Sequence, residues 1–277
     1  MGVYQQIREK FITKNAWEDW ADYRRKLTNL ILRTEPESIM IIGAGRCNDI
    51  DLGSVTARVD RAVLLDMDKE AIQDATASLP KEQRDKVSCI MVSLTGIGEG
   101  DLNTFFDKML SRVRSAGMNL TVESFRGELM SGMDGLADKL LKREEDLTEV
   151  LPESDVIVCC GVHSQFFSQL SFFIRSLLHS LQEILPGVEV LEDEVNRRIR
   201  SMDDQIVPAI NRALCKAAGK ILIFGNEFMP DSPVEGAHQC ISDVREHFTP
   251  EEIHLLWDFN RAEEITYDML IQVCNVV

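Results

Sequence analysis

A chain of 277 residues with 44% hydrophobic and 27% charged side chains lies in the globular range and can bury a sizeable core as one large domain or two small ones. Thirty Lys and Arg against forty-six Asp and Glu leave a net charge of −16, which disfavours a nucleic-acid partner because phosphate backbones are held by Lys and Arg. Seven cysteines with no Cys-x-x-Cys pair, two of them adjacent at Cys159-Cys160, fit neither a zinc site nor a disulfide framework. The opening MGVYQQIREK has no apolar signal core, Gln6 stands where an acylation signal wants Ser or Thr, and no apolar run is long enough to span a bilayer. These features predict a reduced, cytoplasmic chain without a membrane partner.

In chain order, Asn15 followed by Glu18 predicts a helix start, and Ala16, Trp20, Tyr23, Leu27, Leu30 and Ile31 recur at helical steps until Pro36. The aromatics of this helix, Trp17, Trp20 and Tyr23, either close over a pocket or pack the helix onto a sheet. Next, Ser38 to Ile42 is an apolar run, Gly43 and Gly45 open a turn, and a second run, Ala62 to Leu65, stops on Asp66. That pattern is strand, glycine turn, crossover and strand with a carboxylate at its carboxyl end. About 23 residues separate Gly43 from Asp66, close to the roughly 20 expected between a phosphate-type turn and a ribose-binding acid. Ligands of open α/β sheets bind beyond the carboxyl ends of the strands, so this stretch predicts a nucleotide-type cofactor site. Asn48 replaces the third glycine of a dinucleotide fingerprint.

Downstream, Lys69 to Leu79 predicts a helix closed by Pro80, and Lys86 to Val92 a third strand. Residues 101–150 are more than one crossover needs; Phe105, Phe106, Met109, Leu110 and Val113 repeat helically, as do Leu136, Leu140 and Leu141, with a break expected around Met130 to Gly135. Asp155 to Cys160 is a buried strand ending at Gly161-Val162-His163, and Phe166 to Ile184 an amphipathic helix. Glu194 to Ala218 predicts a helix that Pro208 kinks or splits and Gly219 caps. Lys220 to Phe224 is a fifth strand, Asp243 to His247 a helix, and Trp257 to Asn260 and Thr266 to Val276 a terminal strand pair.

The Gly43-Ala44-Gly45 turn, Asp49 closing the loop, Asp66, and five βα-like units followed by a strand pair resemble the class I S-adenosylmethionine-dependent methyltransferases. The resemblance covers roughly residues 36–100 and 151–277. It implies a Rossmann-like α/β fold with a mostly parallel seven-stranded sheet and a reversed terminal strand. On that plan residues 1–35 form a helical lid, and 36–277 the methyltransferase-like domain with a helical insertion at 101–150. It further implies Gly43, Ala44 and Gly45 under the methionine end of the cofactor, Asp49 as a cofactor-binding residue that closes the loop, Asp66 on the ribose, Met67, Ser93 and Leu94 near the adenine, Cys160, Gly161 and Val162 beside the cofactor, and Gly161 to His163 lining the reaction centre. Methyl transfer from a sulfonium is an in-line displacement in which alignment supplies much of the acceleration, so no catalytic triad is required.

His163, two residues past Gly161, is the expected general base because imidazole titrates near neutrality; the alternative is a histidine capping the next helix. Glu227 and His238 are further candidates. The remaining histidines show no His-x-x-x-His spacing, so no metal site is expected. Cys159-Cys160-Gly161-Val162 stands where base-modifying methyltransferases resemble one another in an Asn/Asp-Pro-Pro-aromatic run. A small-molecule acceptor is therefore expected, with a peptide side chain as the other acceptor left open and the oligomeric state unassigned. Two other functions stay in play: an NAD(P)-dependent oxidoreductase, disfavoured by Asn48 and the terminal strand pair, and a non-catalytic S-adenosylmethionine-binding protein of the same fold.

Overall fold

The computed structural model describes residues 3–10, 12–231 and 234–276. Met1, Gly2, Phe11 and Val277, which belong to the expected spans 1–35 and 36–277, lie outside the described residues, as do Ser232 and Pro233. The elements run α1 (Val3–Lys10), α2 (Ala16–Asp19), α3 (Ala21–Leu32), β1 (Ser38–Ile42), α4 (Leu52–Thr56), β2 (Arg61–Asp66), α5 (Lys69–Ala77), α6 (Lys81–Arg84) and β3 (Val87–Met91). They continue as α7 (Glu99–Ala116), α8 (Val122–Ala137), α9 (Arg143–Val150), β4 (Ser154–Cys160), α10 (Ser168–Leu181), α11 (Leu191–Ala217), β5 (Ala218–Glu227), α12 (Glu235–His247), β6 (Glu251–Asn260) and β7 (Ile265–Asn275).

The seven strands form one sheet in the order β3-β2-β1-β4-β5-β7-β6. From β3 to β5 every pairing is parallel, and β7 inserts antiparallel between β5 and β6. The reversed terminal strand beside the fifth is the plan the resemblance implied. The parallel strands are buried on both faces: Ile39, Ile41, Met40 and Ile42 of β1 and Ala62 to Leu65 of β2 are all closed to solvent, as near-continuous apolar runs require. Edge strand β6 instead alternates exposed and half-buried positions over Glu251 to Leu256. Its polar face hid the first half of the strand from a hydrophobicity reading, which places the start at Trp257.

The chain divides into two compact units, one of Met1–Ile12, Leu94–Arg143 and Gln165–Ile206, the other of Thr13–Ser93, Glu144–Ser164 and Val207–Val277. This partition differs from the expected 1–35, 36–277 and 101–150 scheme. α2 and α3 belong with the sheet, since Leu27, Ile31 and Tyr23 of α3 pack in one core with Ile39, Ile41, Val156 and Ile271. In the helical unit, Phe106 of α7 stacks on Phe173 of α10 with centroids 4.0 Å apart, so the expected insertion is completed by a helix far along the chain.

Three local expectations also change. The first long helix breaks at Trp20 into α2 and α3, and Asn15 makes no side-chain cap. The helix break expected at Met130 to Gly135 falls instead at Gly117, where φ is +49°; α8 runs unbroken through Gly132. Gly132 is there for packing, because a Cβ would come 2.7 Å from Cε2 of Phe105 on α7. Pro208 lies inside a continuous α11, and Gly219 belongs to β5 rather than to a helix cap.

Candidate functional site

β1 pairs with β2 on one side and β4 on the other, and the chain progresses outward in opposite directions from these two pairs. The carboxyl ends of β1 and β4 therefore flank a topological switch point, where open α/β sheets bind ligands. Both ends turn on glycine. Gly43 and Gly45 have φ of +63° and +47°, and Gly161 has +63°, a region that costs an L-residue its Cβ clearance. At Gly43 a Cβ would also meet Val162 Cγ2 at 2.5 Å; at Gly45 the nearest atoms, Asp66 Oδ2 and the Gly43 carbonyl, are 4.0 Å away. The first glycine thus lets two loops touch, whereas at the second a Cβ would make only ordinary contact with the acid.

Asp66 ends β2 half-buried. Its Oδ2 accepts from the Gly45 amide at 2.8 Å and its Oδ1 from the Asp68 amide at 2.8 Å. A carboxylate has about four lone-pair positions, so both oxygens keep acceptor capacity. Burial raises its pKa, against the Asp68, Gly45 and Met67 amides that favour the ionised form. Asp49, also half-buried, is pushed up to about 6 by burial, with its own backbone amide and Arg24 pulling the other way. Arg24 donates from Nη1 to the Asn48 carbonyl at 2.8 Å and lies 3.6 Å over the Trp17 ring. Ala44 is buried, and its amide donates to the Leu65 carbonyl at 3.0 Å, which ties the turn to β2.

Across the switch point, the Gly161 amide donates to the Gly225 carbonyl at 2.8 Å. Cys160 and Val162 are buried, and burial together with nearby Asp49 and Glu227 holds the Cys160 thiol protonated. Gly161 faces Trp257 of β6, with 3.6 Å from a would-be Cβ to its ring. Trp257 stacks on Tyr23 with centroids 5.3 Å apart, and Trp20 donates from Nε1 to the Phe259 carbonyl at 2.9 Å. Trp20 and Tyr23 therefore pack α2 and α3 onto β6, while Trp17 is 52% exposed.

His163 is not on the mouth of the crevice. It is 1% exposed, with Nε2 3.0 Å from Asn211 Oδ1 and Nδ1 3.9 Å from Cys159 Sγ. Asn211 Nδ2 donates to Asp243 at 2.7 Å, so its Oδ1 faces the imidazole and Nε2 carries the proton. Burial lowers the imidazole pKa to about 4. A neutral, enclosed and hydrogen-bonded histidine has the geometry of a core group, which corrects the expected base. Of the residues expected near an adenine, Met67 is 43% exposed and follows Asp66, which pairs with Met91; Ser93 is half-buried after β3, and Leu94 is buried in the helical unit, where its carbonyl accepts from Arg143 Nε at 2.9 Å.

Sequence reasoning underrated Glu227 at the end of β5, whose Oε1 accepts from Ser164 Oγ at 2.9 Å, and missed Trp257 as its neighbour in the site region. No spacing signal links them to Tyr23, because the sheet order alone brings them together. Among the described residues no helix is long and apolar enough to cross a membrane.

No protein-family model matches the chain, and no curated protein matches it in sequence. Solved structures with a similar fold include the N-methyltransferase NodS from Bradyrhizobium japonicum, 13% identical, covering 96% of this chain and 99% of that one with a TM-score of 0.40. Magnesium protoporphyrin IX methyltransferase (ChlM) from Synechocystis PCC 6803 with bound SAM is 8% identical, covering 98% and 89%, TM-score 0.44. The O-methyltransferase TomG from Streptomyces achromogenes, in complex with SAM, is 11% identical, covering 99% and 96%, TM-score 0.43. At such identities and scores these likenesses carry no argument of their own; the strand order does. A parallel sheet with its switch point at a glycine turn, an acid at the tip of β2, and a reversed β7 between β5 and β6 give this chain the Rossmann-like fold of the class I S-adenosylmethionine-dependent methyltransferases.

Proposed function

We propose that the protein is an S-adenosylmethionine-dependent methyltransferase acting on a small-molecule acceptor. The observation that carries this reading is Asp66, anchored by Gly45 and Asp68 amides at 2.8 Å each and still able to accept on both oxygens. A vicinal diol needs two such acceptor positions side by side. With no side chain, Gly45 keeps the backbone approachable beside Asp66, whose Oδ2 would lie 4.0 Å from a Cβ there, and Asp49 offers a second carboxylate on the same loop for a cationic amino group. The residues present thus fit the cofactor: Gly43 to Gly45 and Asp49 would hold its methionine part and Asp66 its ribose. When bound, it supplies an electrophilic methyl group on a sulfonium. The chain's contribution is then to align the acceptor, exclude water and manage a proton. The net charge of −16 favours a small acceptor over a nucleic acid.

Calorimetric titration with S-adenosylmethionine, S-adenosylhomocysteine, NAD and NADP tests the reading. Binding of the first two alone is expected. Binding of a nicotinamide nucleotide in their place overturns it.

A further inference from the structure

Among the buried polar atoms of the sheet unit that have no hydrogen-bond partner among the described residues are the Tyr23 hydroxyl, Trp257 Nε1 and Glu227 Oε2. Buried polar groups are nearly always paired, so three orphans together mark the surface of something that completes them. They form one cluster. Tyr23 stacks on Trp257, and the groups that act electrostatically on the Tyr23 hydroxyl are Cys160, Asp49 and Glu227. Tyr267 on β7 also feels Glu227. The position is the carboxyl end of β5, where Glu227 pairs with Met269 of β7 and Gly225 with Cys160 of β4.

The sign of the missing partner follows from the charges. Glu227 is acted on by burial, which raises its pKa, and by its own amide and the Ser164 hydroxyl; no cation is among these influences. Asp49 feels Arg24, but that guanidinium is engaged by the Asn48 carbonyl and the Trp17 ring. Two acids, a phenol and a thiol thus act on one another beside the packed rings of Tyr23, Trp257 and Tyr267. A carboxylate or phenolate there would be repelled. An ammonium would be paired by Glu227 Oε2 and the Tyr23 hydroxyl oxygen and attracted by the ring faces, while the Trp257 indole N–H, a donor, needs an acceptor elsewhere on the ligand.

Resting on the methyltransferase reading above, we infer that the acceptor is a small amine bound against Glu227, Tyr23 and Trp257, with Glu227 Oε2 as the proton acceptor. The amine arrives protonated and passes one N–H proton to Glu227 Oε2, which becomes a carboxylic acid. The freed nitrogen lone pair forms the new N–C bond to the methyl carbon. The C–S bond of the sulfonium co-substrate breaks with its electron pair remaining on sulfur, and the product leaves as a methylated ammonium. Ser164 is a positioning residue: its hydroxyl fixes Oε1 and leaves Oε2 bare.

The test uses full-length protein saturated with S-adenosylhomocysteine and titrated with benzylamine, benzyl alcohol and benzoate, followed by heat and by tryptophan emission. Benzylamine is expected to bind at least about tenfold more tightly than the other two, and Glu227→Gln to lose at least about tenfold in benzylamine affinity while keeping its affinity for S-adenosylhomocysteine. Ser164→Ala provides a second readout: loss of its hydrogen bond to the carboxylate moves the pH at which benzylamine binding sets in upward. Equal binding of benzoate or benzyl alcohol overturns the inference, as does unchanged benzylamine affinity in folded Glu227→Gln or an unmoved pH profile in Ser164→Ala. Absence of benzylamine binding by the wild type at about 10 mM, well above weak-ligand dissociation constants, also overturns it. Failure of S-adenosylhomocysteine itself to bind removes the methyltransferase reading on which the inference stands, and is read separately in the first titration.

Discussion

Two buried polar clusters within the sheet unit make opposite use of similar chemistry. Around His163, Nε2 meets Asn211 Oδ1 at 3.0 Å and Asn211 Nδ2 meets Asp243 at 2.7 Å, so the imidazole N–H is paired, although the neighbouring Asn226 side-chain amide is not. Around Glu227, one oxygen is held by Ser164 while the other, the Tyr23 hydroxyl and the Trp257 indole N–H stay bare. The histidine was the more attractive base from its sequence position, and the glutamate is the better one from its surroundings. Residue type and nearness to a glycine turn do not decide function; incomplete pairing of a buried polar group is the more telling sign.

The largest test of that contrast is His163→Ala. It empties a packed site and strips the Asn211 carbonyl of its donor, so denaturant unfolding should show a loss of about 3–5 kcal/mol, with affinity for S-adenosylhomocysteine retained. Abolished turnover in a variant of unchanged stability would restore the histidine as a catalytic residue and break the comparison.

Acid stability comes next. The His163 pKa is about 4 in the fold against an ordinary 6.5, so the unfolded chain takes the proton first as pH falls. Its contribution is complete above about 6.5 and on the order of 3 kcal/mol is lost on the way down to about 4. Asp49, at about 6 in the fold, works in the reverse sense: the folded state takes its proton first, and its contribution is complete below the ordinary carboxylate range and lost as pH rises through about 6. Asp49→Asn removes the offset, so its unfolding free energy should fall more steeply than that of the wild type between about pH 6.5 and 4. Parallel slopes would show that one of the two groups is not enclosed as described.

Asp66 is intermediate, with one amide on each oxygen and capacity left over. Asp66→Ala should weaken S-adenosylhomocysteine by about 1.5–3 kcal/mol for each charged hydrogen bond lost, read by calorimetry. Unchanged affinity in a folded variant removes the ribose assignment. The smallest effect is expected from Tyr23→Phe. Because the hydroxyl has no partner, its removal should leave stability within about 1 kcal/mol of the wild type, or raise it, as pruning a functional polar group often does. A clear loss of stability would mean that the hydroxyl is already satisfied, and the open cluster would no longer be open.

The sequence by itself determined the elements whose causes are local. β1, the Gly43 to Gly45 turn, β2 ending at Asp66, and β4 ending at Gly161 lie where apolar runs and glycines placed them, because strand propensity and left-handed turns are decided within a few residues. The strand pair at the end of the chain was legible from alternation, though the exposed first half of β6 was not. Tertiary structure alone decided that His163 turns inward, that Gly132 accommodates Phe105 instead of ending a helix, and that residues 165–206 join 94–143. It also decided the site's second half: Tyr23, Asp49, Cys160, Glu227 and Trp257 converge because β7 inserts between β5 and β6 while α3 packs on β6. Burial and pairing depend on neighbours far away in the chain, and no local pattern records which strands will be adjacent.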